Sequence, residues 1–181
     1  MRTWVNGRLL SDPEAPVVGA NDHGLTVGDG VFEVLKVVDG QLFALDQHLA
    51  RLVRSAQGLG LPAVDLAEVR RGVAAVLDGE SLTLGRVRIT WTGGPSPLGS
   101  DRGGGPPSLV VVAAPMDPWP DTTAVATVPW PRNERGALAG LKTTSYGACA
   151  VSMLLSSESA SPSSTCTFSP NACKIGLMSM A

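Results

Sequence analysis

Chemistry that needs an amine has three candidates in this 181-residue chain, Lys36, Lys142 and Lys174, because eleven of its fourteen cationic residues are arginine. Lys142 stands in the run Gly136-Ala137-Leu138-Ala139-Gly140-Leu141-Lys142-Thr143-Thr144-Ser145-Tyr146-Gly147. If small and apolar neighbours bury an amine, its ammonium form is disfavoured and its pKa falls, as a lysine that attacks a carbonyl requires. The same residue at the surface would be an inert solvated lysine, and the local sequence allows either. His48 and Arg51 are three apart and share one face of any helix that carries them. An arginine fork makes bidentate, charge-assisted hydrogen bonds to phosphate, although an exposed polar face would read the same way. Asn21 to Glu33 is a glycine-punctuated run entering a strand, read by itself as a turn. Its Gly28-x-Gly30 lacks a third glycine and a following helix, so it is no dinucleotide loop. With only His23 and His48 available, neither a Ser-His-Asp triad nor a metal cluster is supported. Cys149, Cys166 and Cys173 match no zinc or redox spacing.

The elements that must hold these residues follow from pattern. Asn6-Gly7 between apolar residues predicts a hairpin, because both positions accept positive φ. Val31 to Val38, turned by Asp39-Gly40 into Gln41 to Ala44, predicts a second. Asp46 reads as the N-cap of a helix with Leu49, Leu52, Val53 and Ala56 inward, stopped by Gly58, Gly60 and Pro62. Asp65, with Glu68 three residues on, opens another helix whose Val69, Val73, Val76 and Leu77 face inward. Gly85 to Thr92 alternates, with Val87, Ile89 and Trp91 on one face. Leu109 to Val112 reads as a buried strand and Thr122 to Val128 as a further β-rich run. Hairpins, two helices and then strands predict an α+β fold or a mixed domain.

Net charge of −2, with no block of like charge, gives no case for nucleic acid or an anionic membrane. Leu109 to Met116, the longest apolar stretch, is too short to span a bilayer, and the N-terminus has no signal-peptide run. A soluble cytoplasmic protein is expected. From Ala148 the character changes: the last 34 residues hold nine serines, all three cysteines and only two charged residues. Residues 148–181 are expected to be an atypical, poorly packed or disordered tail.

Taken in order, the three signals resemble the landmarks of the class IV, fold-type IV pyridoxal-phosphate aminotransferases. Asp22-His23-Gly24-Leu25 with Gly28-Asp29-Gly30-Val31-Phe32-Glu33 is similar to that family's N-terminal signature. Leu45 to Leu52 resembles the helix whose arginine holds the cofactor phosphate, and Leu141 to Tyr146 the lysine segment that opens the larger domain. The resemblance covers residues 1 to about 147. It implies pyridoxal 5′-phosphate as cofactor, Lys142 as the residue that carries it and acts as acid and base, Arg51 on the phosphate and Tyr146 near the cofactor. It also implies a homodimer acting on a small-molecule substrate.

By the same resemblance the fold is the N-terminal α/β domain of such an enzyme, with hairpins, two helices and a mixed sheet, plus only the start of the β-rich cofactor domain. The expected division is 1–114 for that domain, 115–121 for a linker and 122–147 for the start of the second domain. The Arg-x-His carboxylate clamp of D-amino-acid transaminases is replaced by Ser96-Pro97-Leu98-Gly99-Ser100, and Val27 stands where branched-chain enzymes have tyrosine. The stretches Val87 to Gly94 and Leu141 to Tyr146 are most similar to the aminodeoxychorismate lyase-like branch. That branch converts 4-amino-4-deoxychorismate to 4-aminobenzoate and pyruvate in folate synthesis. A class IV aminotransferase of branched-chain or other amino acids, or a non-catalytic fragment, are the other readings. After Gly147 the family pattern is not resumed, and neither a glutamate for the pyridine nitrogen nor a Gly/Thr/Ser-rich phosphate cradle follows. A truncation or shifted reading frame after about residue 147, with impaired cofactor binding and activity, is the corresponding expectation.

Overall fold

A computed structural model describes residues 1–80, 82–121, 128, 130–131 and 133–159; within 154–159 it describes the backbone alone. The β-rich run expected between Thr122 and Val128 falls almost wholly outside the described residues, as do residues 160–181 of the expected tail.

Strand β1 (Arg2–Val5) turns into β2 (Arg8–Leu9), with Asn6 and Gly7 at φ of 45° and 92°. Those paired positive angles match the right-handed strand twist, which is why Asn-Gly marks the turn. Strand β3 (Gly30–Val38) turns into β4 (Gln41–Leu42) in the same way, through Asp39 and Gly40 at 47° and 74°. Strands β5 (Leu84–Thr92) and β6 (Ser108–Pro115) complete a sheet ordered β2-β1-β6-β5-β3-β4. Every strand pairing among the described residues is antiparallel, so the α+β class holds while the expected mixed sheet is corrected. The connection dictates this: from β4 on one side of β3 the chain crosses through the helices to β5 on the other side, so that β5 runs parallel to β4 and antiparallel to β3.

Helices α2 (Leu45–Leu59) and α3 (Leu66–Leu77) cover one face of the sheet. Val31, Leu35, Val87, Ile89, Trp91 and Val111 on that face meet Leu49, Leu52, Val69, Val73 and Val76 in one core. Asp65 caps α3 as expected, accepting from the amides of Ala67 and Glu68. Asp46 does not cap α2. The helix begins at Leu45, two residues earlier than a cap at Asp46 would place it, behind Ala44 at φ 54°, and Asp46 lies in the first turn paired with Arg70 at 2.7 Å. An acidic residue suits that turn through the helix dipole as well as it suits a cap, which is how the two positions are confused. Ser55 takes the inward place that the sequence pattern assigns to Val53, which is half-buried. Gly60, at φ 70°, ends the helix.

Strand β6 is half-covered rather than fully buried: Leu109, Val111 and Ala113 are inward while Val110 and Val112 are partly exposed. Two short elements have no counterpart in the sequence reading. Helix α1 (His23–Thr26) lies inside the run read as a turn, capped by Asp22, and helix α4 (Gly147–Ser159) occupies the start of the Ser/Cys-rich segment. No helix among the described residues is long and apolar enough to cross a membrane.

Candidate active site

The segment carrying Lys142 is fastened to β3 by main-chain bonds. The Phe32 amide donates to the Lys142 carbonyl at 3.1 Å, the Thr144 amide donates to the Gly30 carbonyl at 2.8 Å, and Val31 and Thr143 form an antiparallel bridge. A third tie comes from α2, where Ser55 Oγ accepts the Lys142 amide at 3.1 Å. Two glycines make room for this docking. A Cβ on Gly28, itself at φ 72°, would lie 2.6 Å from Ser145 Oγ, and one on Gly58 would lie 2.5 Å from a Leu141 methyl.

Strand alternation then sorts the charged groups. Glu33 is odd-numbered with Val31 and Leu35 and points with them toward the helices, wholly buried. A buried carboxylate requires partners, and α2 supplies two. Arg51 donates from Nε to Oε1 at 2.7 Å and from Nη2 to Oε2 at 2.6 Å. His48 Nδ1 lies 2.8 Å from Oε2. That distance makes Nδ1–H the donor, so the 3.3 Å separation between Arg51 Nη2 and the same nitrogen is proximity rather than a hydrogen bond. The side-chain bonds to Glu33 raise the Arg51 pKa above its ordinary value.

Phe32, on the opposite face of β3, collects the remaining groups. Lys142 Nζ lies 5.1 Å from its ring centroid, the Arg88 guanidinium carbon 3.9 Å, and the Tyr146 ring meets it edge-on at 5.0 Å. Lys142 is half-buried, and burial pushes its pKa down; Glu33 opposes that shift, and the positive charges of Arg51 and Arg88 add to it. No carboxylate among the described residues is within ion-pair distance of its amine. Lys142 and Tyr146 thus gather at Phe32 on one face of β3 and Arg51 at Glu33 on the other, near enough for their charges to interact although up to 95 positions apart.

Asp22 and His23 serve the architecture beside it. Asp22 is buried and accepts from the Gly24 amide, Thr92 Oγ1 and Ser108 Oγ, tying α1 to β5 and β6. His23 is also buried, with Nε2 3.1 Å from the Pro97 carbonyl. Asp29 is held by Arg102, which also donates to the carbonyls of Leu59 and Gly60 at the end of α2.

Three participants are missed from sequence: Glu33 as the partner of Arg51, Phe32 as the platform, and Arg88. Glu33 did carry a signal, since an acidic residue at an inward strand position must be paired by something. Among the described residues no group of His, Cys, Asp and Glu could hold a metal.

Comparisons with known proteins bear on the family and the fold. The family model for amino-transferase class IV matches residues 30–159. The D-alanine aminotransferase of Bacillus licheniformis is 34% identical over 106 residues, 58% of this chain and 37% of that protein. The bifunctional aminodeoxychorismate lyase / D-amino acid transaminase of Mycobacterium tuberculosis is 32% identical over 119 residues, 64% of this chain and 39% of that protein. This chain therefore spans about two-fifths of the length of these relatives. The pyridoxal-phosphate-bound structure of a hypothetical aminotransferase from Mycobacterium tuberculosis superposes with a TM-score of 0.68, covering 88% of this chain and 59% of that one; at 24% identity, the likeness is one of fold. Because the match takes in both the β3–α2 pair and the lysine segment, the chain belongs to the class IV aminotransferases, a family of pyridoxal-phosphate enzymes.

Proposed function

We propose that this chain supplies the cofactor-lysine side of a pyridoxal-phosphate lyase that converts 4-amino-4-deoxychorismate to 4-aminobenzoate and pyruvate. The observation that carries the reading is the Lys142 amine, half-buried, without an ion-pair partner among the described residues and shifted toward its neutral form, within electrostatic reach of the Glu33–Arg51 pair. The residues fit the cofactor. An uncharged amine can attack an aldehyde, and Arg51, which gives Nε and Nη2 to Glu33, has a further N–H edge with which it could meet a phosphate oxygen.

When bound, the cofactor supplies an electron sink for the carbanion. Lys142 then takes the ring proton from the substrate, and pyruvate leaves as the ring becomes aromatic. Burial, helped by the positive charges of Arg51 and Arg88, lowers the amine's pKa and so favours the neutral form that acts as a base. Arg51 holds the phosphate end, its orientation set by Glu33. Tyr146, edge-on to Phe32, lines the cofactor side. A homodimer and a cytoplasmic location belong to the same proposal. Support for the lyase, beyond the family, is the Mycobacterium tuberculosis bifunctional relative.

The test has two steps. Excess pyridoxal phosphate followed by borohydride should leave a reduced adduct on Lys142 and not on Lys36, read by peptide mass. Pyruvate release from aminodeoxychorismate should then exceed transamination with 2-oxoglutarate. Transamination alone would instead favour a class IV aminotransferase, the reading supported by the Bacillus licheniformis relative. The absence of any adduct on Lys142 would favour a non-catalytic chain.

A further inference from the structure

The lysine segment enters a slot with two walls. One is the start of β3 with the residues before it, where the Gly28 and Gly30 carbonyls accept the Thr144 hydroxyl at 3.0 and 3.3 Å. The other is the last turn of α2, where a Cβ on Gly58 would meet a Leu141 methyl at 2.5 Å. One side chain, Arg102 in the loop between β5 and β6, bonds to both walls. Its Nε and Nη2 donate to Asp29 Oδ2 and Oδ1 at 2.7 and 2.6 Å. Nη2 also donates to the Leu59 carbonyl at 2.7 Å, and Nη1 to that of Gly60 at 2.6 Å. Asp29 stands between Gly28 and Gly30, and Leu59 and Gly60 follow Gly58. Each bond thus falls within two residues of one that touches the lysine segment.

The local structure is shaped to admit this clasp. A Cβ on Gly93 would lie 2.6 Å from Asp29 Oδ2, and one on Gly60 would lie 3.2 Å from Arg102 Nη1. The Gly93 amide donates to the Asp29 carbonyl at 2.9 Å, and the Gly103 amide, next to Arg102, donates to Ser96 Oγ at 3.2 Å, which folds the loop back on itself. Carbonyls at a helix C-terminus carry negative partial charge and favour a cation there. The bond to Asp29 raises the Arg102 pKa above its ordinary value. The Arg102 side chain is nevertheless 40% exposed, and an ion pair that open adds little to stability. What bonds in four fixed directions do supply is geometry. With each nitrogen already engaged, the part of this arginine is to hold the walls rather than to receive a ligand.

We infer that Arg102 is a positioning residue for Lys142: by clasping Asp29 to the end of α2 it fixes the width of the slot, and with it the depth at which the amine is held. The inference rests on the reading of Lys142 given above and adds the residue that sets its burial from outside the segment. Arginine suits the role because its planar fork meets the carboxylate with two parallel bonds while its far edge reaches the carbonyls, whereas lysine offers a single point of charge. Loss of the clasp lets the slot widen, admits water to the amine and restores its ammonium form.

The experiment is limited acetylation of the full chain across a pH series, with the Lys142-to-Lys36 labelling ratio read by peptide mass. It compares the wild type with Arg102→Gln, Arg102→Lys, Asp29→Asn and a control, Arg70→Gln, which breaks the surface pair with Asp46 on the first turn of α2. The wild type should label Lys142 first. At pH 8, Arg102→Gln and Asp29→Asn should each lower the ratio by about threefold or more and move the Lys142 profile to higher pH. Arg102→Lys should lower it less, and Arg70→Gln should leave it unchanged. Charge alone makes the opposite forecast for one of the pair, because losing a cation favours the ammonium form and losing an anion disfavours it. Opposite shifts in Arg102→Gln and Asp29→Asn, a ratio that Arg102→Gln leaves unchanged, an equal fall in Arg70→Gln, or a wild-type ratio near one would each overturn the inference. Borohydride trapping with pyridoxal phosphate is run on the same samples. A wild-type adduct with a ratio indifferent to Arg102 removes only the clasp, whereas a ratio that falls as expected without any adduct removes only the cofactor role of Lys142.

Discussion

Glu33 and Arg51 form a bidentate pair of unequal burial: the carboxylate is wholly enclosed, while the guanidinium side chain keeps 30% of its surface open. The asymmetry decides which deletion hurts more. Arg51→Met strands a buried carboxylate with His48 alone and should cost on the order of 3 kcal/mol. Glu33→Met leaves an arginine that can turn to water, and should cost roughly 1–2 kcal/mol. The double variant should be more stable than Arg51→Met. Urea unfolding of the three proteins checks the order, and a double variant less stable than Arg51→Met would contradict it.

The depressed pKa of Lys142 sets a pH dependence with a definite sign. An unfolded lysine keeps its ordinary pKa, so between the folded value and 10.5 the unfolded chain binds more protons. The folded state therefore carries a penalty that is complete below the folded pKa and fades as pH rises through it toward 10.5. Lys142→Met should raise the melting temperature at pH 7, by an amount that shrinks at pH 10. A gain that grows with pH would reverse the assignment.

The same shift makes Lys142 the more nucleophilic side-chain amine. Limited acetylation at pH 8, quenched early and mapped by mass, should modify Lys142 ahead of Lys36, whose Nζ lies 5.7 Å from the Trp119 ring centroid. Equal labelling would count against a neutralised amine.

Gly40 and Gly94 share a φ of 74° but differ in surroundings. A Cβ on Gly40 would meet nothing within 4 Å, while one on Gly94 would lie 2.0 Å from the Pro106 carbonyl oxygen. Gly40→Ala should cost about 1 kcal/mol, the backbone term alone. Gly94→Ala should cost about 3 kcal/mol or more, because a main-chain carbonyl cannot step aside as a side chain can. Denaturant midpoints compare them directly.

Local chemistry made much of the fold readable. Asn6-Gly7, Asp39-Gly40, the Asp65 cap and the Gly60 stop depend on a few neighbouring residues, and each stands where the sequence puts it. What stayed hidden depends on distant partners. Strand direction within the sheet is set by which strand lies beside which, and neither β5 nor β6 states its neighbour. Helix α1 is only four residues long and is held by Asp22 through Thr92 and Ser108, 70 and 86 positions away. Within the candidate site, the types and order of His48, Arg51, Lys142 and Tyr146 are legible in sequence. The carboxylate that aims Arg51 and the ring on which Arg88 rests are not, because an alternating strand alone does not say what faces it.

The lysine segment reaches β3 and α2 through its own main chain: Lys142 accepts from Phe32 and donates to Ser55, while Thr144 donates to Gly30. Its placement is therefore indifferent to the chemistry of the side chain it displays. A chimera joining residues 1–146 to an unrelated continuation would inherit an amine already aimed, and a variant with another nucleophile at 142 would inherit the same aim. Residues 1–146 thus behave as a transferable mount, on which different continuations could be tried without rebuilding the position of the reactive group.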